Sequence, residues 1–351
     1  WSILSLVFCQ AATTQNAAAQ EVTASHVTTG GWSDAIRSRF DDYVVVAEPD
    51  RDEAEWWAGA PSVLRDDDGV FWIAARMRTA DRPLGQRGYE IRIFRSTDGE
   101  TFERAHSILR EQVPLPGFER PALVRDPKTG AFKLYCCGRL NGPWSVSRVA
   151  GAARPDEFVA DTARDVIAPL PQEQIDPSQT VGTYERPAPV PNGYKDPVIF
   201  WDGTRFHAYL IGTIRSTERT YHFTSADGDA WEPVGNPSQS MLELRGWHDF
   251  AVRPASVLPL GAGYLFVYEG SSSTWADPVY NIATGLAFTF DLDRTTDLTP
   301  SEPLLVSSTP GRLHTWRYSH WMWVGDELWV FAEAERTNGS HEIRRYRIKR
   351  S

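Results

Sequence analysis

Cysteine is nearly absent from this chain: three residues in 351, at positions 9, 136 and 137. Cys136 and Cys137 are neighbours, and neighbours on a strand point to opposite faces, so a disulfide between them is strained and no further thiolates complete a metal site. Both read as packed thiols. Cys9 follows Phe8, where lipid attachment would want a small residue. Positive charge is also scarce. The net charge is -10, and the only basic run, Arg344 to Arg350, alternates as an ordinary strand, which argues against a nucleic-acid partner. No stretch approaches the roughly 18 apolar residues needed to span a bilayer, so no membrane insertion is expected. Helical apolar spacing is missing over any long stretch, so helix should be rare.

What the chain has is aromatics, 14 Trp, 12 Tyr and 16 Phe, and a repeated local pattern. A short apolar strand, a turn and an aromatic-rich strand recur five times. The copies are 60–64 with 71–73, 120–124 with 132–135, 196–200 with 206–209, 253–257 with 264–266, and 319–322 with 328–331. Four open with Pro (Pro61, Pro121, Pro197, Pro254), which lacks a ladder donor and suits a strand's first residue. Turns such as Asp67-Asp68-Gly69 and Asp202-Gly203 supply the residues that tight hairpins need. Ser96 to Phe102 and Ser225 to Trp231 read as turns between outer strands, their Asp98 and Asp227 bonding nearby amides rather than acting as catalysts. The copies lie 57 to 76 residues apart, about the length of a four-stranded unit with loops. The pattern predicts an all-β fold: a five-bladed β-propeller of four-stranded antiparallel blades around a central channel.

The apolar start, Trp1 to Ala12, followed by Ala17-Ala18-Ala19, reads as a signal-peptide remnant over residues 1–19. Residues 20–48 read as a polar leader and 49–351 as the catalytic domain. The expectation is a secreted or periplasmic monomer.

In a propeller the innermost strands line the channel, so their openings converge. The residues before each strand Pro, or its equivalent, are Ala60, Arg120, Asp196, Arg253 and Ser319, preceded by Gly59, Glu119, Lys195, Val252 and Tyr318. Carboxylates beside arginines at one mouth suit glycoside cleavage, which needs one ionised and one protonated carboxyl group. An ion-pair ring that merely ties blades together would use the same residues.

The stretch Lys195-Asp196-Pro197-Val198-Ile199-Phe200-Trp201-Asp202-Gly203-Thr204-Arg205-Phe206-His207-Ala208-Tyr209 resembles the inner hairpin of five-bladed propeller glycoside hydrolases: the family 43 arabinanases and xylosidases and their relatives, including fructan hydrolases and mannoside phosphorylases. The resemblance extends over about residues 55–350. It implies an Asp base in the first blade, a later pKa-setting Asp and a Glu acid elsewhere. Asp196 matches an Asp-Pro strand start. The first blade departs with Gly59-Ala60-Pro61, the fourth with Val252-Arg253-Pro254. The acid then falls to Glu119 or Glu269, or Glu185 fills one role from the loop entering blade three, whereas Asp126 reads as a turn residue. Arg76, Arg78, Arg87, Arg120, Arg139 and Arg253 would favour an anionic sugar through two-pronged guanidinium contacts. Trp57, Trp247, Tyr318 and His320 complete the expected substrate contacts. No cofactor or metal ligand set is required, although the resemblance is compatible with a channel calcium. The expected partner is a carbohydrate, cleaved by hydrolysis. Two rivals stay open: a lyase in which Tyr318 or a His removes the proton beside a uronate carboxylate, and a non-catalytic carbohydrate-binding propeller.

Overall fold

The computed structural model describes residues 36–81, 87–138, 143–160, 163–169, 190–214, 217–236, 239–307, 309 and 315–349. The all-β expectation holds: among the described residues there are twenty strands and a few isolated turns of 3-10 helix, and no described helix is long and apolar enough to cross a membrane. After β1 (Val44–Ala47) the strands form five antiparallel meanders. The first is β2 (Trp56–Arg65), β3 (Phe71–Thr79), β4 (Gly88–Ser96) and β5 (Glu103–Leu109). The second is β6 (Ala122–Arg125), β7 (Phe132–Gly138), β8 (Ser145–Ala152) and β9 (Arg164–Ile167). The third is β10 (Tyr194–Trp201), β11 (Phe206–Ile214), β12 (Thr217–Ser225) and β13 (Glu232–Pro233). The fourth is β14 (Ala251–Pro259), β15 (Tyr264–Ser271), β16 (Ala283–Thr289) and β17 (Thr296–Asp297). The fifth is β18 (Trp316–Val324), β19 (Glu327–Glu335) and β20 (His341–Lys349), and β1 pairs with β20 as its fourth strand.

The turns form as their residues dictate. Gly69 and Gly203 adopt φ of 82° and 104°, and Asp98 Oδ1 accepts the amides of Glu100 and Thr101 at 2.7 and 2.9 Å. Asp227 repeats that turn with Asp229 and Ala230. Asp126 likewise accepts the Lys128 amide within its hairpin. Single parallel bridges, Trp57 with His341 and Glu218 with Ala251, join the first and fifth meanders, and the third and fourth, into eight-stranded sheets.

Five apolar clusters among the described residues lie between neighbouring meanders, in cyclic order. Cys136 and Cys137, both buried and free, show why strands suit this arrangement: with side chains alternating faces, one thiol enters the cluster shared with the first meander and the other the cluster shared with the third. Each fully buried Phe, such as Phe266 or Phe331, contributes about 1.5–3 kcal/mol of transfer free energy. The opening strands touch in sequence, β2 to β6, β6 to β10, β10 to β14, β14 to β18, and β18 back to β2.

The domain boundary at residue 49 falls too late. Ile36 and Phe40 are buried in the cluster between the fourth and fifth meanders, Arg37 donates to the carbonyls of Pro303 and Leu304, and β1 is an integral strand. A polar flank hid these few anchoring residues. The proposed signal segment lies outside the described residues.

Candidate active site

Three opening strands carry the same defect. Pairing jumps from Gly59–Arg76 to Ser62–Ala74, from Lys195–Ile211 to Val198–Tyr209, and from Arg317–Glu333 to His320–Phe331. Each jump sets two residues against one, a β-bulge that re-aims side chains. The first bulged residue is Ala60, Asp196 or Tyr318, with φ of 50°, 55° and 54°. Such strain in non-glycine residues concentrates where a site needs it. The fifth repeat is therefore one residue out of step with its sequence pattern: Tyr318, not Ser319, corresponds to Asp196, because without a Pro nothing marks the bulge.

The bulges border a cavity of about 710 Å³ whose lining includes Trp57, Arg78, Arg87, Glu119, Trp144, Lys195, Arg253, Tyr280, Arg317 and Tyr318. Arg78 lies 4.3 Å over the Trp57 ring and Arg87 4.2 Å over Trp144, so cations and aromatic faces alternate around the wall. Three carboxylates at or behind this wall, Glu119, Glu218 and Glu333, are each held by two cations. Glu119 takes Arg76 on one oxygen and Arg87 on the other at 2.8 Å. Glu218 joins Lys195 to Arg253; burial alone would raise its pKa, but Arg253 and Lys195 override that and hold it at about 2. Glu333 is fully buried and receives Arg317 at 2.8 Å, His341 at 2.7 Å and the Ala60 amide at 2.9 Å; against the burial, Arg317, His341 and Arg76 hold it far below the ordinary carboxylate range. Gly59 makes this possible, since a Cβ there would sit 1.9 Å from Glu333 Oε2. The acid absent from the first opening strand is thus supplied in space by β19.

The expected site residues divide by depth. Trp57, Arg78, Glu119, Arg253 and Tyr318 line the cavity. Trp57 also stacks on His341, centroids 4.4 Å apart. Asp196, 2% exposed, lies behind Tyr318, whose Oη donates to Asp196 Oδ2 at 3.2 Å. Arg76 is buried and links Glu119 to Glu333. Glu269 is fully buried; Oε1 accepts the Ser319 amide at 2.8 Å, and burial raises its pKa. Three expectations of substrate contact are corrected. Arg120 does not reach the cavity: its guanidinium donates to the carbonyls of Pro254, Ala255 and Ser319, an axial strut between meanders. A cation there would meet carbonyls already taken by a guanidinium, so that position does not fit a metal. Among the described residues no group of three or more His, Cys, Asp or Glu is placed to hold an ion. Trp247 packs on Tyr268 and donates to the Thr299 carbonyl, in the cluster between the third and fourth meanders. His320 faces the opposite opening, beside Val63 and Trp321, where burial and Arg120 lower its pKa to about 3. Glu185 and Arg139 lie outside the described residues.

Sequence reasoning did not select Glu218, Glu333, Arg317 or Tyr280. Glu333 carried a signal, a single acid inside the apolar run Val330-Phe331-Ala332-Glu333-Ala334. Tyr280 comes from an irregular loop and carried none.

No family model and no curated protein matches the chain. Among solved structures it is similar to a BT0996–RGII complex, with 13% identity over 91% of this sequence and 97% of that one and a TM-score of 0.64. It is similar to β-1,2-mannobiose phosphorylase from Listeria innocua in complex with β-1,2-mannobiose, with 12% identity, 87% and 94% coverage and a TM-score of 0.59. It is also similar to α-L-arabinofuranosidase from Lactobacillus brevis, with 11% identity, 87% and 92% coverage and a TM-score of 0.58. At these identities the likeness is one of fold. The fold relatives include glycoside hydrolases and mannoside phosphorylases, which the sequence resemblance named, and an arabinofuranosidase.

Proposed function

We propose that this chain is a carbohydrate-active enzyme, a glycoside hydrolase working at the mouth of a five-bladed β-propeller. The cyclic contacts of the opening strands and the closure of the fifth meander by β1 support the propeller reading. The fold relatives include enzymes that act on mannosides and arabinosides. One observation carries the functional reading: the cavity where the opening strands converge combines aromatic walls, Trp57, Trp144 and Tyr280, with carboxylates, Glu119 among them, and the guanidinium groups of Arg78, Arg87, Arg253 and Arg317. Aromatic faces stack on sugar rings, and guanidinium forks take anionic substituents two-pronged. Arg78 and Arg87 on the wall offer such forks, so an acidic glycan is the preferred class. In this reading Asp196 is the carboxylate that finally takes the proton of the attacking water, and Glu119, held between Arg76 and Arg87 on the wall, binds the substrate. Export to the periplasm or medium, and action as a monomer, belong to the same proposal.

The test is hydrolysis of paired neutral and acidic oligosaccharides by the purified protein. Release of sugar from the acidic series, lost in Glu119→Gln at unchanged melting temperature, is the expected result. Preference for the neutral series removes the anionic-substrate part; no release from any glycan removes the enzyme reading.

A further inference from the structure

The position of Asp196 constrains how it could act in that glycoside-cleaving reading, on which this inference rests. Its side chain is sealed from the cavity. Oδ1 accepts the Arg120 amide at 3.3 Å and the Cys137 thiol at 3.4 Å, both from the second meander, and Oδ2 accepts the Tyr318 phenol at 3.2 Å. Of these partners only Tyr318 lines the cavity. Any proton exchanged between Asp196 and a substrate must therefore cross the phenol oxygen.

We infer that Tyr318 is a catalytic residue that relays a proton from the attacking water to Asp196. The Oη of Tyr318 accepts a proton from a water as the water oxygen bonds to the anomeric carbon, and the phenol proton passes to Asp196 Oδ2. The bond from that carbon to the glycosidic oxygen breaks, the electron pair leaving with the oxygen, which is protonated from solvent at the open mouth. Asp196 touches no substrate and is the positioning residue of the pair.

Three observations agree with a relay. Burial, and then Asp196, push the Tyr318 phenol up to about 12, so it keeps its proton at neutral pH and passes it on rather than attacking as a phenolate. The guanidinium carbons of Arg317, Arg76 and Arg120 lie 4.9, 5.3 and 5.6 Å from its ring centre, where they would stabilise negative charge passing through the oxygen. Tyr318 and Asp196 occupy the same bulge position on two opening strands, each at a φ near 55°, so the backbone fixes both ends of the hydrogen bond.

The experiment uses the full-length protein and an aryl glycoside of the sugar released in the panel, whose phenolate leaves without an acid. Tyr318→Phe and Asp196→Asn should each lower kcat by roughly 10²–10⁴-fold with KM little changed. The double variant should be no slower than the worse single one, as expected for groups acting as a unit. Sodium azide, a nucleophile that needs no base, should restore turnover in both, giving a glycosyl azide of inverted configuration, and wild type should likewise invert. Tyr318→Phe within threefold of wild type, losses that multiply in the double variant, or a product of retained configuration would each overturn the relay. Should Asp196→Asn fail to fold, Tyr318→Phe with azide decides alone. Absence of turnover by wild type takes down the hydrolase reading itself, a failure visible before any variant is compared.

Discussion

The bulges of the first and third opening strands have nearly the same backbone and opposite contents. At Asp196 the bulged residue brings its own carboxylate, held by an amide, a thiol and a phenol. At Ala60 the residue brings none, and Glu333 reaches in from β19 to accept the Ala60 amide and hold Arg317 and His341. The lesson concerns electrostatics. A carboxylate that hydrogen-bonds only neutral donors and feels its cations, Arg120, Arg76 and Arg253, at a distance loses less when changed than one bonded directly to a buried cation.

Gly59→Ala should break this contrast most severely, because its Cβ and Glu333 Oε2 would claim one space. Displacing the carboxylate leaves Arg317 buried and unpaired, and a loss of roughly 3–5 kcal/mol is expected by chemical denaturation. Glu333→Gln strands the same guanidinium but keeps the volume, so it should cost somewhat less, still about 3 kcal/mol. Asp196→Asn should cost less, about 1–2 kcal/mol, since its hydrogen-bond donors are neutral, its cations lie further off, and Asn tolerates left-handed backbone. Equal losses in Glu333→Gln and Asp196→Asn would erase the distinction.

Acid should act on the borrowed carboxylate's side. Burial lowers His341 to about 4 despite Glu333 beside it, from 6.5 in an exposed chain. Between those values the unfolded chain binds a proton that the folded one does not, so stability falls as pH drops from 6.5 towards 4, by on the order of 2 kcal/mol from His341, with His320 and His222, both lowered to about 3, adding to the loss. A melting temperature flat over that range, or one that rises on acidification, contradicts this. The smallest effect is expected at Arg87, one-third exposed at the rim, where Arg87→Ala should change stability by under about 1 kcal/mol.

The architecture was legible because its signals are local. Strand Pro, turn Gly and alternating aromatics each act within a few residues, and five copies made the period visible. The site was legible mostly where an opening strand or the residues leading into it supply the group, as with Glu119, Arg253 and Tyr318, with Arg78 from β3 the exception. Arg120 looked like a ligand because it opens a strand, but the guanidinium is long enough to cross to the carbonyls of Pro254 and Ala255. Trp247 looked like a stacking platform, yet its ring found Tyr268 first. Glu333 and Glu218 were missed because their roles depend on partners from other strands, Gly59 and Arg317 for the one and Lys195 and Arg253 for the other. No spacing rule within one strand encodes that.

The pairing of β1 with β20 has a consequence for biosynthesis. Residues 341–349 must leave the ribosome before Val44–Ala47 has anything to join, so the outer edge of the fifth sheet cannot be finished while translation of this region is under way. Through that interval the nascent polypeptide carries an open strand edge, the feature that recruits foreign strands and chaperones.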